Sequence, residues 1–241
     1  MPIVTNSTTT SSFSHTGVVR QKNEDALLAL PKSGLWAVAD GMGGHEQGDF
    51  ASSCIISHLY QLAMKTQGSD LVDALPGVID TANQEIYQRS LSSAQQKVIG
   101  STLVVLILEK EQYHCFWSGD SRCYLYRDDR LNAITRDHTH AESMRAEGNF
   151  SESEIVNHPS SQALTHAIGV EDSVYVDYVH DFIFEDDRFL LCSDGLTKVY
   201  DDWEIEQRIK SPNIDQINLD LLSDALSAGA PDNISSILIS L

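Results

Sequence analysis

Four short acidic segments lie far apart in this chain, and each adjoins an apolar run of strand length. They are RQKNED from Arg20, VADGMGGH from Val38, CSDGL from Cys192 and PDNIS from Pro231. A sheet presents the side chains at its strand ends to a shared cleft. Carboxylates gathered in one place cannot all ionise unless positive charge lies between them. Their oxygens suit hard divalent cations such as magnesium, manganese or calcium. The chain is therefore expected to fold so that distant strand ends converge on a metal site.

With 241 residues and 41% hydrophobic content, the chain can bury a substantial core. A net charge of −19 without a basic stripe argues against a nucleic-acid partner. No apolar run approaches the roughly 20 residues of a membrane helix, and the N-terminus lacks the features of a signal peptide. The expectation is a cytoplasmic protein with no membrane segment. Residues 1–11, rich in Ser and Thr, read as a flexible tail, and residues 12–241 as one domain. From Glu171 to Glu206 the basic residues are only Arg188 and Lys198. That acidic stretch reads as solvated surface, with Asp194 set apart as a candidate metal ligand. Cys54, Cys115, Cys123 and Cys192 form no CxxC pair, so they are expected as reduced core thiols and not as a structural zinc site.

Leu35 to Ala39 reads as a buried strand ending at Asp40-Gly41. Apolar residues recur at helical spacing from Glu46 to Thr66 and again from Ser69 to Leu91, where Pro76-Gly77 is expected to break or start the helix. The period then changes. Thr102–Leu108, Gln112–Ser118 and Ser121–Arg127 read as strands joined by hairpin-like turns, the second at Gly119-Asp120. The polar stretch 137–169 reads as a surface flap. Val174–Val179 and Arg188–Cys192 follow as strands, Asp201–Lys210 and Ile214–Leu226 as helices, and Ile234–Leu241 as a terminal strand. Strands and helices are segregated, which predicts an α+β fold and not a doubly wound parallel sheet.

Taken singly, Asp40-Gly41, Asp194-Gly195 and Asp232-Asn233 are also ordinary turn sequences. Arg20 with Glu24 and Asp25 is equally open to a surface ion pair. Taken together they point to phosphate chemistry, because the arginine fork matches two phosphate oxygens. Two metals can share one bridging carboxylate and activate the water between them. No Cys-x5-Arg motif offers a thiolate nucleophile instead.

These segments resemble the metal-dependent serine/threonine protein phosphatases of the PPM (PP2C) family in its compact bacterial form. GSTLVVL, SGDSRCYLYR, TRDHTH, HPSSQALTHAIG, LLCSDGL and DNISSILI follow in the family's order, over about residues 13–241. The resemblance implies a central antiparallel β-sandwich flanked by helices on both sides, with two to three Mn2+ or Mg2+ ions at one end. Asp40 would bridge two ions and the Gly41 carbonyl would bind one of them, with Glu24 nearby. Asp194 and Asp232 would hold the other ion, and Asp120 would help to bind a third beside Asp194. Arg20 would bind phosphate, and Asp25 would support the ligands from behind. The implied substrates are phosphoserine and phosphothreonine on proteins, attacked by the metal-bridging water, in a monomer opposing a bacterial Ser/Thr kinase. A non-catalytic phosphoprotein-binding scaffold is the alternative.

Two positions depart from the family pattern. His166 stands where many bacterial members have the flap arginine, and Ser160-Ser161-Gln162 follows His158-Pro159 in place of Arg-Asn. Both changes remove positive charge where substrate would approach, which makes His166 a candidate substrate contact. His45 is open to turn packing or proton transfer. His138 and His140 are open to a metal pair or to hydrogen bonding at the flap hinge.

Overall fold

The structure, a computed structural model, describes residues 8–43, 47–92 and 98–241. It opens with β1 (Thr9–His15), β2 (Asp25–Leu30) and β3 (Leu35–Met42), then the long helices α1 (Gly48–Ala63) and α2 (Ser69–Ser92). A short β4 (Gly100–Ser101) precedes β5 (Leu103–Glu109), β6 (Gln112–Ser118), β7 (Arg122–Arg127) and β8 (Arg130–Ala133). The flap carries α3 (His140–Glu147) and α4 (Glu152–Val156). The chain then returns through β9 (Asp177–Phe182), β10 (Arg188–Cys192), α5 (Asp194–Thr197), α6 (Asp202–Ile209), α7 (Ile214–Ser227) and β11 (Ile234–Ser240).

Side chains of a strand alternate between two faces, and in central strands such as β3 and β10 both faces are apolar. On β3, Trp36 and Val38 face the second sheet, while Leu35, Ala37 and Ala39 face the helices. On β10, Phe189 and Leu191 point between the sheets, and Leu190 and Cys192 point the other way. One sheet runs β1-β11-β10-β7-β8 and the other β2-β3-β5-β6-β9, with β4 on β3. The first is covered by α6 and α7 through Ile205, Ile209, Ile217 and Leu221, and the second by α1 and α2 through Ile55, Leu59, Leu75 and Ile79. The result is an α+β fold, as the segregation of elements predicts, built as the helix–sheet–sheet–helix stack with antiparallel ladders that the family resemblance implies.

Several expectations change. Thr9 to Ser11 are not tail residues, since they pair with Ser240 to Leu238 as the start of β1; residues 1–7 lie outside the described residues. The helix α2 is not interrupted at Pro76. A proline inside a helix costs roughly 3 kcal/mol. Pro76 is exposed, however, while Leu71, Leu75, Ile79 and Ile86 of the same helix are fully buried. Each of those contributes about 1.5–3 kcal/mol, so burial wins. The strand expected at Val174–Val179 begins only at Asp177. The Gly119-Asp120 joint is not a hairpin, because β6 pairs with β5 and β9 in one sheet and β7 pairs with β10 and β8 in the other. That crossing carries Asp120 to the end of the sandwich. The Asp128-Asp129 turn is a true hairpin, with φ of 53° and 60° at its two central residues. Among the described residues no helix is long and apolar enough to cross a membrane.

Candidate active site

One end of the sandwich holds a cleft of about 320 Å3 lined by Arg20, Glu24, Asp40, Gly41, Asp120, Asp194 and Asp232, among others. The fold thus brings together every predicted metal-ligand and phosphate-binding residue. Asp40 sits near the end of β3, directly across the ladder from Asp25. Its amide donates to the Thr102 hydroxyl at 3.1 Å, and its carbonyl accepts from the Thr102 amide at 2.9 Å. The Thr102 and Ser121 hydroxyls lie 2.7 Å apart, which ties the end of β3 to the turn bearing Asp120.

Two glycines allow the segments to close on one another. A side chain at Gly41 would meet the Gly48 carbonyl oxygen at 2.0 Å, so only glycine lets β3 lie against the start of α1. A side chain at Gly195 would meet the Asn233 carbonyl oxygen at 1.9 Å, so glycine lets Asp194 approach Asp232. Asn233 then fastens the arginine-bearing loop. Its Nδ2 donates to the carbonyls of Thr16 and Lys22, both at 2.8 Å, and its Oδ1 accepts from the Glu24 amide at 2.8 Å.

Among the described residues, the cations lining the cleft are Arg20 and Lys198. Arg20 grips Asp232 through Nε at 2.8 Å and Nη2 at 2.9 Å. Lys198 Nζ reaches Asp194 Oδ2 at 2.5 Å and Asp232 Oδ2 at 2.8 Å. The ammonium therefore stands between two carboxylates as a metal cation would. Burial works against ionised Asp232, but hydrogen bonds from Lys198 and Arg20 hold its pKa below the usual range. Asp40 is pushed well above that range by burial and then by the charges of Asp25, Asp194, Asp120 and Asp232. Burial, with Asp194 next, pushes Asp120 up to about 7.

Asp25 does not line the cleft. Its Oδ2 accepts from the hydroxyls of Ser193 at 2.8 Å and Ser235 at 2.7 Å, which fixes the residue preceding Asp194. Burial raises its pKa to about 6. The Oδ1 atoms of Asp194 and Asp25 are buried without a hydrogen-bond partner. An all-oxygen donor set, crowded and partly unpartnered, fits a hard divalent cation.

The flap residues are placed differently. His166 lines a neighbouring cavity of about 300 Å3 that shares Met42 and Leu164 with the acidic cleft. Its ring stacks on Tyr175 at 4.4 Å between centroids and meets the edge of His138 at 5.3 Å. His138 serves the hinge: Nδ1 accepts from the Gly119 amide at 3.2 Å, and Nε2 lies 3.2 Å from Asp177 Oδ2. His140 instead contacts the ring of His158, so the two histidines form no metal pair. His45 lies outside the described residues. Lys198 and Asn233 carry roles that sequence reasoning missed. The only sequence signal for Lys198 is its i+4 spacing from Asp194 at the start of a helix.

Comparison with known proteins agrees with this geometry. The model of the family "Protein phosphatase 2C" matches residues 5–147. The chain is 33% identical over 231 residues to the serine/threonine phosphatase stp of Listeria innocua, covering 92% of each. It is 32% identical over 225 residues to the serine/threonine protein phosphatase PstP of Mycobacterium tuberculosis, covering 92% of this chain. It spans only 43% of the length of PstP. A solved structure of the PstP catalytic domain in complex with two manganese ions superposes with a TM-score of 0.85 at 30% identity, covering 97% of each chain. PppA, described as a key regulatory component of T6SS in Pseudomonas aeruginosa, superposes with a TM-score of 0.88 at 35% identity, covering 98% of this chain and 99% of PppA. The chain belongs to the protein phosphatase 2C family.

Proposed function

We propose that this chain is a Mn2+- or Mg2+-dependent protein serine/threonine phosphatase that hydrolyses phosphoserine and phosphothreonine on protein substrates. The observation that carries the reading is the convergence of Asp40, Asp120, Asp194, Asp232 and Glu24 with Arg20 in one cleft. Asp40, with the Gly41 carbonyl and Glu24, would hold one ion; Asp194 and Asp232, with Asp40, would hold a second; Asp120 would hold a weaker third. Bound there, the cations would neutralise the carboxylates and supply Lewis-acid activation of phosphate and water.

The chain's own residues do the positioning. Thr102 fixes the backbone of Asp40 from both its amide and its carbonyl. Asn233 fixes the loop carrying Arg20. The Arg20 guanidinium, half-exposed at the rim, offers its planar fork to a phosphate. We read residues 12–241 as one catalytic domain with a flap at 137–169. We also read the protein as a cytoplasmic monomer whose partners are phosphorylated proteins and a cognate Ser/Thr kinase. Titrating Mn2+ into wild type and Asp40→Asn, with a phosphopeptide and an aryl phosphate, tests the reading. Wild type should turn over both and stop with EDTA, while a folded Asp40→Asn should lose nearly all turnover. Phosphopeptide binding without turnover at any metal concentration would make the chain a scaffold instead.

A further inference from the structure

A second cluster of metal-ligating atoms lies outside the acidic cleft, between the two long helices. Cys54 and His58 are one turn apart on α1, and Glu85 faces them from α2. One ligand atom from each lies within 4.8 Å of the other two. His58 Nε2 is 2.9 Å from Glu85 Oε2. The Cys54 sulfur lies within 4.8 Å of a ligand atom of both partners. We propose that Cys54, His58 and Glu85 form a binding site for a borderline transition-metal cation of the zinc class, joining α1 to α2.

The donor set separates this site from the cleft. Sulfur, imidazole nitrogen and one carboxylate oxygen favour zinc-like ions, whereas the cleft offers oxygen alone. Tetrahedral coordination with bonds of about 2.0–2.3 Å places ligand atoms roughly 3.3–3.8 Å apart. The Cys54 and His58 positions come from one rigid helix face, and the Glu85 side chain, 54% exposed, has the freedom to open its contact with His58. Cys54, buried, would anchor the ion from the core side, and the exposed Glu85 would close it from the solvent side. Burial and the Glu85 carboxylate push the Cys54 thiol up to about 12, so it is protonated on its own. Metal binding forms the metal–sulfur bond and releases that proton to solvent. Arg89, one turn beyond Glu85 on α2, is held over the Phe50 ring with 3.9 Å between guanidinium carbon and ring centroid. Its charge favours a thiolate at Cys54.

The test uses the full chain, stripped with chelator and then kept in saturating Mg2+ so that the oxygen cleft is filled. Zn2+ is titrated by equilibrium dialysis with metal analysis, and Co2+ is titrated by absorption spectroscopy. One equivalent of Zn2+ should be retained against excess Mg2+, Co2+ should give a thiolate charge-transfer band, and Zn2+ should raise Tm. Cys54→Ser should abolish the band and weaken Zn2+ binding by about tenfold or more. Should Cys54→Ser fail to fold, His58→Gln, at a partly exposed position, should give the same loss of affinity and of the Tm rise. A cobalt spectrum without a thiolate band in wild type would overturn the proposal. So would Zn2+ stoichiometry and affinity unchanged in both variants, or no Zn2+ retained against Mg2+. None of these readouts depends on turnover.

Discussion

Arg20 and Asp232, 212 residues apart in the chain, are joined by two parallel hydrogen bonds of 2.8 and 2.9 Å. The fork that suits a phosphate is thus matched by a carboxylate of the cleft itself. Arg20→Ala should therefore act in two directions. Loss of a charge-assisted contact to phosphate should lower kcat/KM by about 10–100-fold. Release of Asp232 should leave Mn2+ affinity equal or slightly higher. Steady-state kinetics across a Mn2+ series separates the two effects, and a large loss of metal affinity with unchanged KM would make Arg20 purely structural.

Lys198 holds both Asp194 and Asp232, and would compete with a metal cation for them. Its side chain is 40% exposed, so solvent screening limits each ion pair to about 1 kcal/mol or less. Lys198→Met keeps the stem and removes the charge. Calorimetric titration should show Mn2+ binding several-fold tighter, while the chelated protein melts at a lower temperature. Weaker Mn2+ binding would mean that Lys198 supports the ligands rather than opposing the metal.

Stability without divalent cations should fall as pH rises. Asp25 is raised to about 6 and Asp120 to about 7, above the roughly 3.9 of an unfolded aspartate. The folded state therefore holds these protons more tightly than the unfolded state. Their contribution is complete below about pH 4 and disappears as pH climbs through about 6 to 7. For Asp120 the shift is worth at most about 4 kcal/mol. Calorimetric Tm in chelator should drop between about pH 5 and pH 8, and saturating Mg2+ should flatten the slope. A chelated Tm that rises over this range would contradict the assignment.

His166 is exposed at the flap and stacked on Tyr175. His166→Arg restores a permanent charge beside the cavity adjoining the cleft. KM for phosphopeptides should fall at neutral pH, with aryl-phosphate turnover nearly unchanged. Equal changes for both substrates, or none for either, would assign His166 to packing alone.

The local patterns were legible in the sequence alone. Apolar runs of strand length marked β3, β5, β6, β10 and β11, helical spacing marked α1, α2 and α7, and the Asp-Gly and Asp-Asn segments marked Asp40, Asp194 and Asp232. These features arise from neighbours along the chain, so they leave a local trace. What only the tertiary structure decided depends on contacts between distant segments. The crossing at Gly119-Asp120 follows from which strand finds which partner. The unbroken α2 follows from burial outweighing a proline. The Lys198 bridge, the anchoring of the arginine loop by Asn233 and the meeting of Cys54 and His58 with Glu85 all follow from packing. Side chains choose partners by distance and desolvation once the layers have closed, and sequence spacing records neither.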